Sequence, residues 1–373
     1  MILRDVTLQN FRNVAEARLV FEGRRHFFVG ANGQGKTNLL EALGYLTALR
    51  SFRTAENRLL VREGQPEAAA AYTFEHERFG RTRVTLRIGS RGNRTVHWDD
   101  ERVSRLGDII GRFPTVVFSA DDIQLVRGAP GLRRRWMDLL FSAVDSAYFQ
   151  VLQQYHRGLT ARNALLRERA GAAELSAFER EMAGPASRLG KAREAGLREL
   201  NVSLEKAYRH LGGEDAAALL ELRKPGSAAQ APEEWIERWC EGRDRDRQAG
   251  ATQAGPHRDD LHFGLEGRSL ARYGSEGQQR SFVIALRLAQ ADYVRAGTGL
   301  LPPLLLDDVT AELDGGRRER FWALVAGEAQ VFATGVMRPE LGDDAWRFCR
   351  VAGGTFAWES RIASGECGIR TAQ

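Results

Sequence analysis

The sequence predicts an α/β fold divided by a mainly helical insertion, and three observations carry that prediction. A compact apolar strand at 26–29 runs into a glycine-rich loop and then into helix-spaced leucines over 37–49. A second apolar strand, 303–306, ends on two acidic residues, Asp307 and Asp308. Between them lie two long stretches with apolar residues at helical spacing, 131–169 and 176–210.

The elements follow in order. Residues 2–8 alternate apolar and polar side chains, as a half-buried strand does, and 17–21 reads as a second strand before 26–29. An N-terminus of this kind, with Arg4 and Asp5 inside it, is not a signal peptide. Further strands are expected at 69–74, 84–88, 95–98 and 115–118, punctuated by Gly, Asn and Asp. The first helical stretch carries Trp136, Leu140, Val144, Tyr148, Val151, Tyr155 and Leu159. The second carries Phe178, Met182, Leu189, Leu197, Leu200 and Leu204, and Pro185 is expected to kink or divide it. Each would reach ~45–50 Å at 1.5 Å per residue, which suggests a helical hairpin. The Ala-, Pro-, Arg- and Asp-rich segment 224–253 reads as a solvated, mobile face. Strands at 261–265, 303–306 and 330–334 and helices at 277–296 and 317–326 restore the α/β character, and 360–373 reads as a frayed tail. The domain expectation is one body split between 1–120 and 255–373, with 121–254 inserted as a helical arm.

Composition limits the classes. Hydrophobic residues form 43% of the 373, enough for a sizeable core, so disorder is excluded as the main description. The net charge of +5 is compatible with a nucleic-acid partner without requiring one. Only four basic residues are lysines: Lys36, Lys191, Lys206 and Lys224. GC-rich codon bias accounts for the arginine excess, bidentate phosphate recognition being the sharper reading; either way a surviving lysine draws notice. Cys240, Cys349 and Cys367 are scattered, odd in number and without a CxxC pair, which fits a reducing cytoplasm. The apolar run 300–306 is far short of the ~20 residues that span a bilayer, so no membrane role is expected.

The chemistry is carried by two segments. GANGQGKT, 30–37, fits the phosphate-loop pattern G-x-x-x-x-G-K-[ST] between a strand and a helix. Its glycines let backbone N–H groups curl around phosphate oxygens at a helix N-terminus. Lys36 would reach the β- and γ-phosphates of ATP, and the Thr37 hydroxyl would ligate Mg²⁺. LLLDDV, 304–309, delivers Asp307 to hold that Mg²⁺ and Asp308 as general base for water. About 270 residues separate the two segments, so the nucleotide fold must be assembled from both ends of the chain.

The assembly resembles the ABC-type ATPase heads of SMC-like DNA-repair proteins: an α/β P-loop ATPase head with an inserted mainly helical arm. More narrowly it is similar to the bacterial RecF family. The matching residues are LQNFRN (8–13), GANGQGKTNLLEAL (30–43), VVFSADDIQLVRGAPGLRRRWMD (116–138), GPHRDDL (255–261), SEGQQR (275–280), LLLDDVTAELD (304–314) and QVFATG (330–335), in order and over nearly the whole chain.

The resemblance implies ATP held by Gly30, Ala31, Asn32, Gly33, Gln34, Gly35, Lys36, Thr37 and Asn38. It implies an ATP-dependent homodimer in which Gly274, Ser275, Glu276, Gly277 and Gln278 form a signature motif acting in trans, and Asp314 organises the seam. It further implies a cytoplasmic, nucleoid-associated protein that binds gapped, single-strand/double-strand junction DNA. Such a protein works with RecO and RecR to load RecA and induce the SOS response. Asp308 stands where fast ABC ATPases carry Glu, and Thr334 where transporter ATPases carry His, so slow, DNA-stimulated hydrolysis is implied. Arg133, Arg134 and Arg135 become candidate DNA-phosphate contacts, against the plainer reading of a basic first helical turn. Ala120 and Thr310 depart from the family pattern, Glu276 would weaken capping by charge repulsion, and Gln124 is a candidate water-sensing residue. His257 and His262 with Asp259 and Asp260 form a metal-like set, but a loop at the arm interface is the stronger reading. Tyr148 and Tyr155 read as core. A transporter ATPase subunit and a nucleotide-binding scaffold without turnover are the rival functions.

Overall fold

The computed structural model describes residues 1–212, 217–224, 229–309, 313–325, 327–339 and 346–359. Thr310, Ala311 and the expected tail 360–373 lie outside them. The chain forms two compact units, Met1–Asp122 with Val294–Gln373, and Ile123–Tyr293. In chain order the elements are β1 (Ile2–Phe11), β2 (Val14–Val20), β3 (Arg25–Val29), α1 (Lys36–Gly44), β4 (Glu67–His76), β5 (Gly80–Gly89), β6 (Arg94–Trp98), β7 (Glu101–Arg102) and β8 (Val116–Ser119). Then come α2 (Gln124–Arg127), α3 (Pro130–Val144), α4 (Ser146–Arg167), α5 (Ala172–Gly212), β9 (Ala218–Arg223), α6 (Pro232–Glu241), α7 (Arg243–Ala249), β10 (Asp260–Leu265), β11 (Arg268–Ser269), α8 (Leu270–Tyr273) and α9 (Glu276–Thr298). The chain closes with β12 (Leu304–Asp307), α10 (Gly315–Val325), β13 (Val331–Gly335), β14 (Trp346–Ala352) and β15 (Thr355–Trp358).

The first unit holds two six-stranded sheets. One is antiparallel, in the order β2-β1-β4-β5-β6-β7. Its period-two patterning is clear in β5, where Thr82, Val84, Leu86 and Ile88 are buried and Arg81, Arg83 and Arg87 are exposed. The other runs β15-β14-β3-β13-β12-β8, parallel except for β15. Its inner strands are apolar runs, as strands covered on both faces are. α1 buries Leu39, Leu40 and Leu43 in a core shared with Leu8, Tyr72 and Leu86 of one sheet and Leu305, Phe332 and Cys349 of the other. Each buried leucine contributes about 1.5–3 kcal/mol, which fixes the helix whose first residues carry the phosphate loop. The parallel pairings set Asp307 beside Thr334 and Ser119 at the carboxyl ends of β12, β13 and β8. Ligands of open α/β sheets bind at such ends.

The second unit is largely helical, with α4 packed along α5 and a small sheet β11-β10-β9. Several expectations need correction. The stretch 131–169 is two helices, because Asp145 breaks the first and caps the second, its carboxylate accepting from Ala147 N at 2.8 Å. Pro185 does not divide the second stretch: α5 is one helix of 41 residues with Pro185 buried inside it. The segment 224–253 is not a solvated face in its described part. Trp235 and Trp239 of α6 are buried, Arg243 is bonded to Glu179, and Asp246 to Arg162. The inserted unit runs to Tyr293 rather than 254, because β10 pairs with β9 and carries the following segment with it. β9, β14 and β15 were not foreseen. Among the described residues no helix is long and apolar enough to cross a membrane.

Candidate nucleotide site

The loop 30–37 leaves β3 and enters α1 at Lys36. Gly33 and Gly35 sit at φ +79° and +112°, the left-handed region that glycine occupies without a Cβ penalty. A Cβ on Gly30 would lie 2.3 Å from the Val351 carbonyl oxygen, so the loop passes where only glycine fits. Ala31, Asn32 and Gly33 are exposed at the rim, whereas Gly35 and Lys36 are buried. The loop is fastened from behind. Gln34 O accepts from Gly354 N at 2.8 Å and Asn13 Nδ2 at 3.2 Å, and Gln34 Oε1 accepts from Gly353 N at 2.7 Å. Asn38 Nδ2 donates to Asn13 Oδ1 at 2.8 Å.

Lys36 Nζ donates to the carbonyls of Gly30 (2.6 Å) and Ala31 (2.9 Å), which spreads its stem across the mouth of the loop. An ammonium has three protons, so one remains for a phosphate oxygen. Burial lowers the Lys36 pKa, and the carboxylates of Asp308 and Asp307 oppose that.

The acidic end of β12 is equally fixed. Asp307 Oδ1 accepts from Thr37 Oγ1 at 2.8 Å and from Thr334 Oγ1 at 3.0 Å, while Asp308 N donates to Thr334 Oγ1 at 3.1 Å. Thr334 thus joins β13 to both acidic residues. Burial pushes the Asp307 carboxyl above its ordinary range, with the Thr37 and Thr334 hydroxyls pulling it back. Burial also raises Asp308, and Lys36 lowers it. Asp308 has φ +53°, a strained conformation for a residue with a side chain, which turns the chain off the strand at this point. The adjacent Thr37 hydroxyl and Asp307 carboxylate are hard oxygen donors. They suit Mg²⁺, which takes one or two protein oxygens and completes its shell with phosphate and water.

In the second unit, Ser275 is exposed at the start of α9. Ser275 N donates to Gln278 Oε1 at 2.8 Å and Gln278 N to Ser275 Oγ at 3.2 Å, a reciprocal capping box. Glu276 is paired with Arg280 at 2.8 Å and lies 3.7 Å from Arg127, and these cations hold its carboxyl below the ordinary range. Its charge is therefore compensated. Asp314 Oδ1 accepts from Arg317 N at 2.9 Å and caps α10.

Known proteins match this arrangement along its length. The family model described as "RecF/RecN/SMC N terminal domain" matches residues 2–352. The "DNA replication and repair protein RecF" of Leptospira interrogans is 36% identical over 343 residues, 90% of this chain and 91% of the relative. That of Geobacter metallireducens is 35% identical over 340 residues, 90% and 92% of the two chains. The chain belongs to the RecF family. Among solved structures, the "recombination mediator protein RecF-ATP in RecFOR pathway" superposes with a TM-score of 0.88 at 28% identity, covering 95% of this chain and 97% of that one. An SMC head bound to the C-winged helix domain of ScpA superposes at 0.56 with 13% identity, a likeness of fold. The fold is that of the ABC-type, SMC-like ATPase heads.

In this RecF-family chain some site residues were not legible beforehand. Arg12 makes two bonds, at 2.9 and 2.7 Å, to Glu41, which is fully buried on α1, and Ser51 and Arg53 also bond to Glu41. Arg53 Nη1 reaches Asn38 Oδ1 at 2.9 Å. This network stiffens α1 just behind the loop. The signal was an acidic residue, Glu41, amid the apolar positions of α1.

The arginine run is largely committed within its own unit. Arg133 forms two bonds to Asp260 (2.8 and 3.0 Å) and one to Gly128 O (2.7 Å), and Arg134 donates to Asp259 O at 2.9 Å. The Arg133 guanidinium, with all three nitrogens engaged, has little left for DNA phosphate, whereas Arg134 makes one such bond. Among the described residues Arg135 has no such partner; it is half-buried, and burial lowers its pKa. Gln124 is exposed at the start of α2. His257 is tied to Tyr155 Oη (2.7 Å) and Thr252 O (2.9 Å), and burial lowers its pKa to about 4. Among the described residues no cluster of metal-binding side chains occurs. Tyr148 and Tyr155 are core.

Proposed function

We propose that the chain is an ATP-gated DNA-binding protein of recombinational gap repair, with ATP hydrolysis as its reset. The observation that carries this is the convergence of Thr37 and Thr334 on Asp307 beside a glycine-rich loop whose mouth Lys36 spans. The loop N–H groups and the third Lys36 proton bind the β- and γ-phosphates. Thr37 and Asp307 would hold Mg²⁺, which when bound neutralises phosphate charge. Asp308, with a raised pKa, accepts a proton from the attacking water. Its short side chain, against the glutamate of fast ABC ATPases, favours slow turnover, which suits a timed clamp that DNA would stimulate.

Ser275 and the N-terminus of α9 are exposed and suited to hydrogen-bond a γ-phosphate held by a second copy, with Asp314 at the seam. ATP then drives homodimerisation at two composite sites. The substrate would be gapped DNA with a single-strand/double-strand junction, with RecO, RecR and RecA as partners at the nucleoid. The descriptions of the relatives support this reading. Sedimentation with and without ATP tests it. The wild type should dimerise only with ATP, and Ser275→Arg should stay monomeric; a Ser275→Arg protein that dimerises with ATP removes the composite site from the account.

A further inference from the structure

The turn that presents Ser275 is set by a residue far from it in sequence. A Cβ on Gly274 would lie 2.7 Å from Leu270 O, so the turn is pressed onto α8. Gln279, which is buried, holds it there: Nε2 donates to Gly274 O at 3.0 Å and to Leu270 O at 3.2 Å. An amide can do this only if its oxygen points the other way. Arg127 Nε donates to Gln279 Oε1 at 2.7 Å, and a guanidinium has no acceptor, so this bond fixes which end of the amide faces the turn. The same guanidinium lies 3.7 Å from Glu276. Arg127 therefore orients the amide that clamps Gly274, and adds a counter-charge to the residue after Ser275.

We propose that Arg127, at the end of α2, is a positioning residue for the signature turn, holding Gly274 and Ser275 ready for the γ-phosphate on a second copy. This rests on the composite-site reading above. Preorganisation lowers the cost of ordering the turn on dimerisation. Loss of one charge-assisted hydrogen bond to a buried amide should weaken ATP-dependent dimerisation about tenfold. The nucleotide loop is elsewhere in the chain, so binding of fluorescent ATP to the monomer should not change.

The test compares Arg127→Ala, Arg127→Lys, Gln279→Ala, the Arg127→Ala/Gln279→Ala pair, Arg127→Ala/Glu276→Gln and Ser275→Arg. ATP-dependent dimerisation and monomer ATP affinity are measured for each, with thermal unfolding to confirm folding. Arg127→Ala should weaken dimerisation about tenfold, Gln279→Ala at least as much because it also removes the bonds to Gly274 O and Leu270 O, and the pair no further than Gln279→Ala, because Arg127 acts on the turn through Gln279. Arg127→Lys, which keeps charge but not the Nε geometry, should not restore it. The proposal fails if Arg127→Ala dimerises like the wild type. It also fails if Arg127→Lys or Glu276→Gln rescues, which would make the role one of charge alone. If Ser275→Arg dimerises with ATP, the composite site itself is wrong and this role falls with it. If Ser275→Arg is monomeric while Arg127→Ala dimerises normally, only the role of Arg127 is lost.

Discussion

Asp307, the carboxylate proposed to hold Mg²⁺, carries a cost in stability. Burial raises its pKa, so its ionised form is disfavoured in the folded apo-protein, with two hydroxyls as partial compensation. For a carboxyl raised in this way the folded state binds the proton more tightly. The contribution is favourable at low pH and is lost as pH rises through the folded pKa. Asp307→Asn, which keeps an oxygen for Thr37 and Thr334, should therefore stabilise the apo-protein at neutral pH by about 1 kcal/mol while abolishing hydrolysis. Thermal unfolding should show that gain shrinking as pH falls towards the carboxylate range; a destabilised variant at pH 7 would contradict it. Asp307 was legible because strand and acid are adjacent in sequence. The tie to Thr334 was not, because only the parallel pairing of β12 with β13 brings the two together. The Arg133–Asp260 pair is hidden for a related reason: the two residues lie far apart along the chain, and local sequence does not show the pairing.

At the scale of elements, the phosphate loop depends on a hairpin from the other end of the chain. Gly353 and Gly354 have φ +55° and +81°, and both N–H groups bond to Gln34. A Cβ on Gly354 would lie 2.6 Å from Asn13 O, whereas at Gly353 it meets open space. Gly353→Ala should cost about 1 kcal/mol from backbone strain alone. Gly354→Ala should cost more and weaken ATP binding as well, since the clash pushes the hairpin off Gln34. Isothermal titration and thermal unfolding of both variants check this, and equal effects would contradict it. The hairpin had a sequence signal, two glycines between Val351 and Phe356, of the kind that marks a tight β-turn. Its role as a fastener for residue 34 had none.

For the whole molecule, each unit has its own core, and the helical one contains a buried ionic cluster. Arg162, fully buried, bonds Glu179 at 3.0 Å and Asp246 at 2.7 Å, linking α4, α5 and α7. Removing one partner of a buried pair typically costs about 3–5 kcal/mol because the remaining charges stay desolvated. Arg162→Met should therefore lower hydrogen-exchange protection in α4 and α5, while β1 and β4 of the other unit keep theirs; equal loss in both would contradict two independent cores. The order of elements and the split of the nucleotide fold were legible from periodicity and motif spacing. The end of the insertion was not, because β10 joins the helical unit by pairing with β9, and β9 carried no signal strong enough to be noticed.

The proposed function turns on ATP gating DNA binding. Binding to a gapped duplex, measured at one fixed salt concentration with no nucleotide, ADP, ATP and a slowly hydrolysed ATP analogue, tests it most directly. Salt is held constant because phosphate contacts make affinity steeply salt-dependent. Binding should be tight with ATP or its analogue alone and lost in Ser275→Arg. Binding of equal strength under all four conditions would contradict it, leaving the nucleotide site without control over DNA.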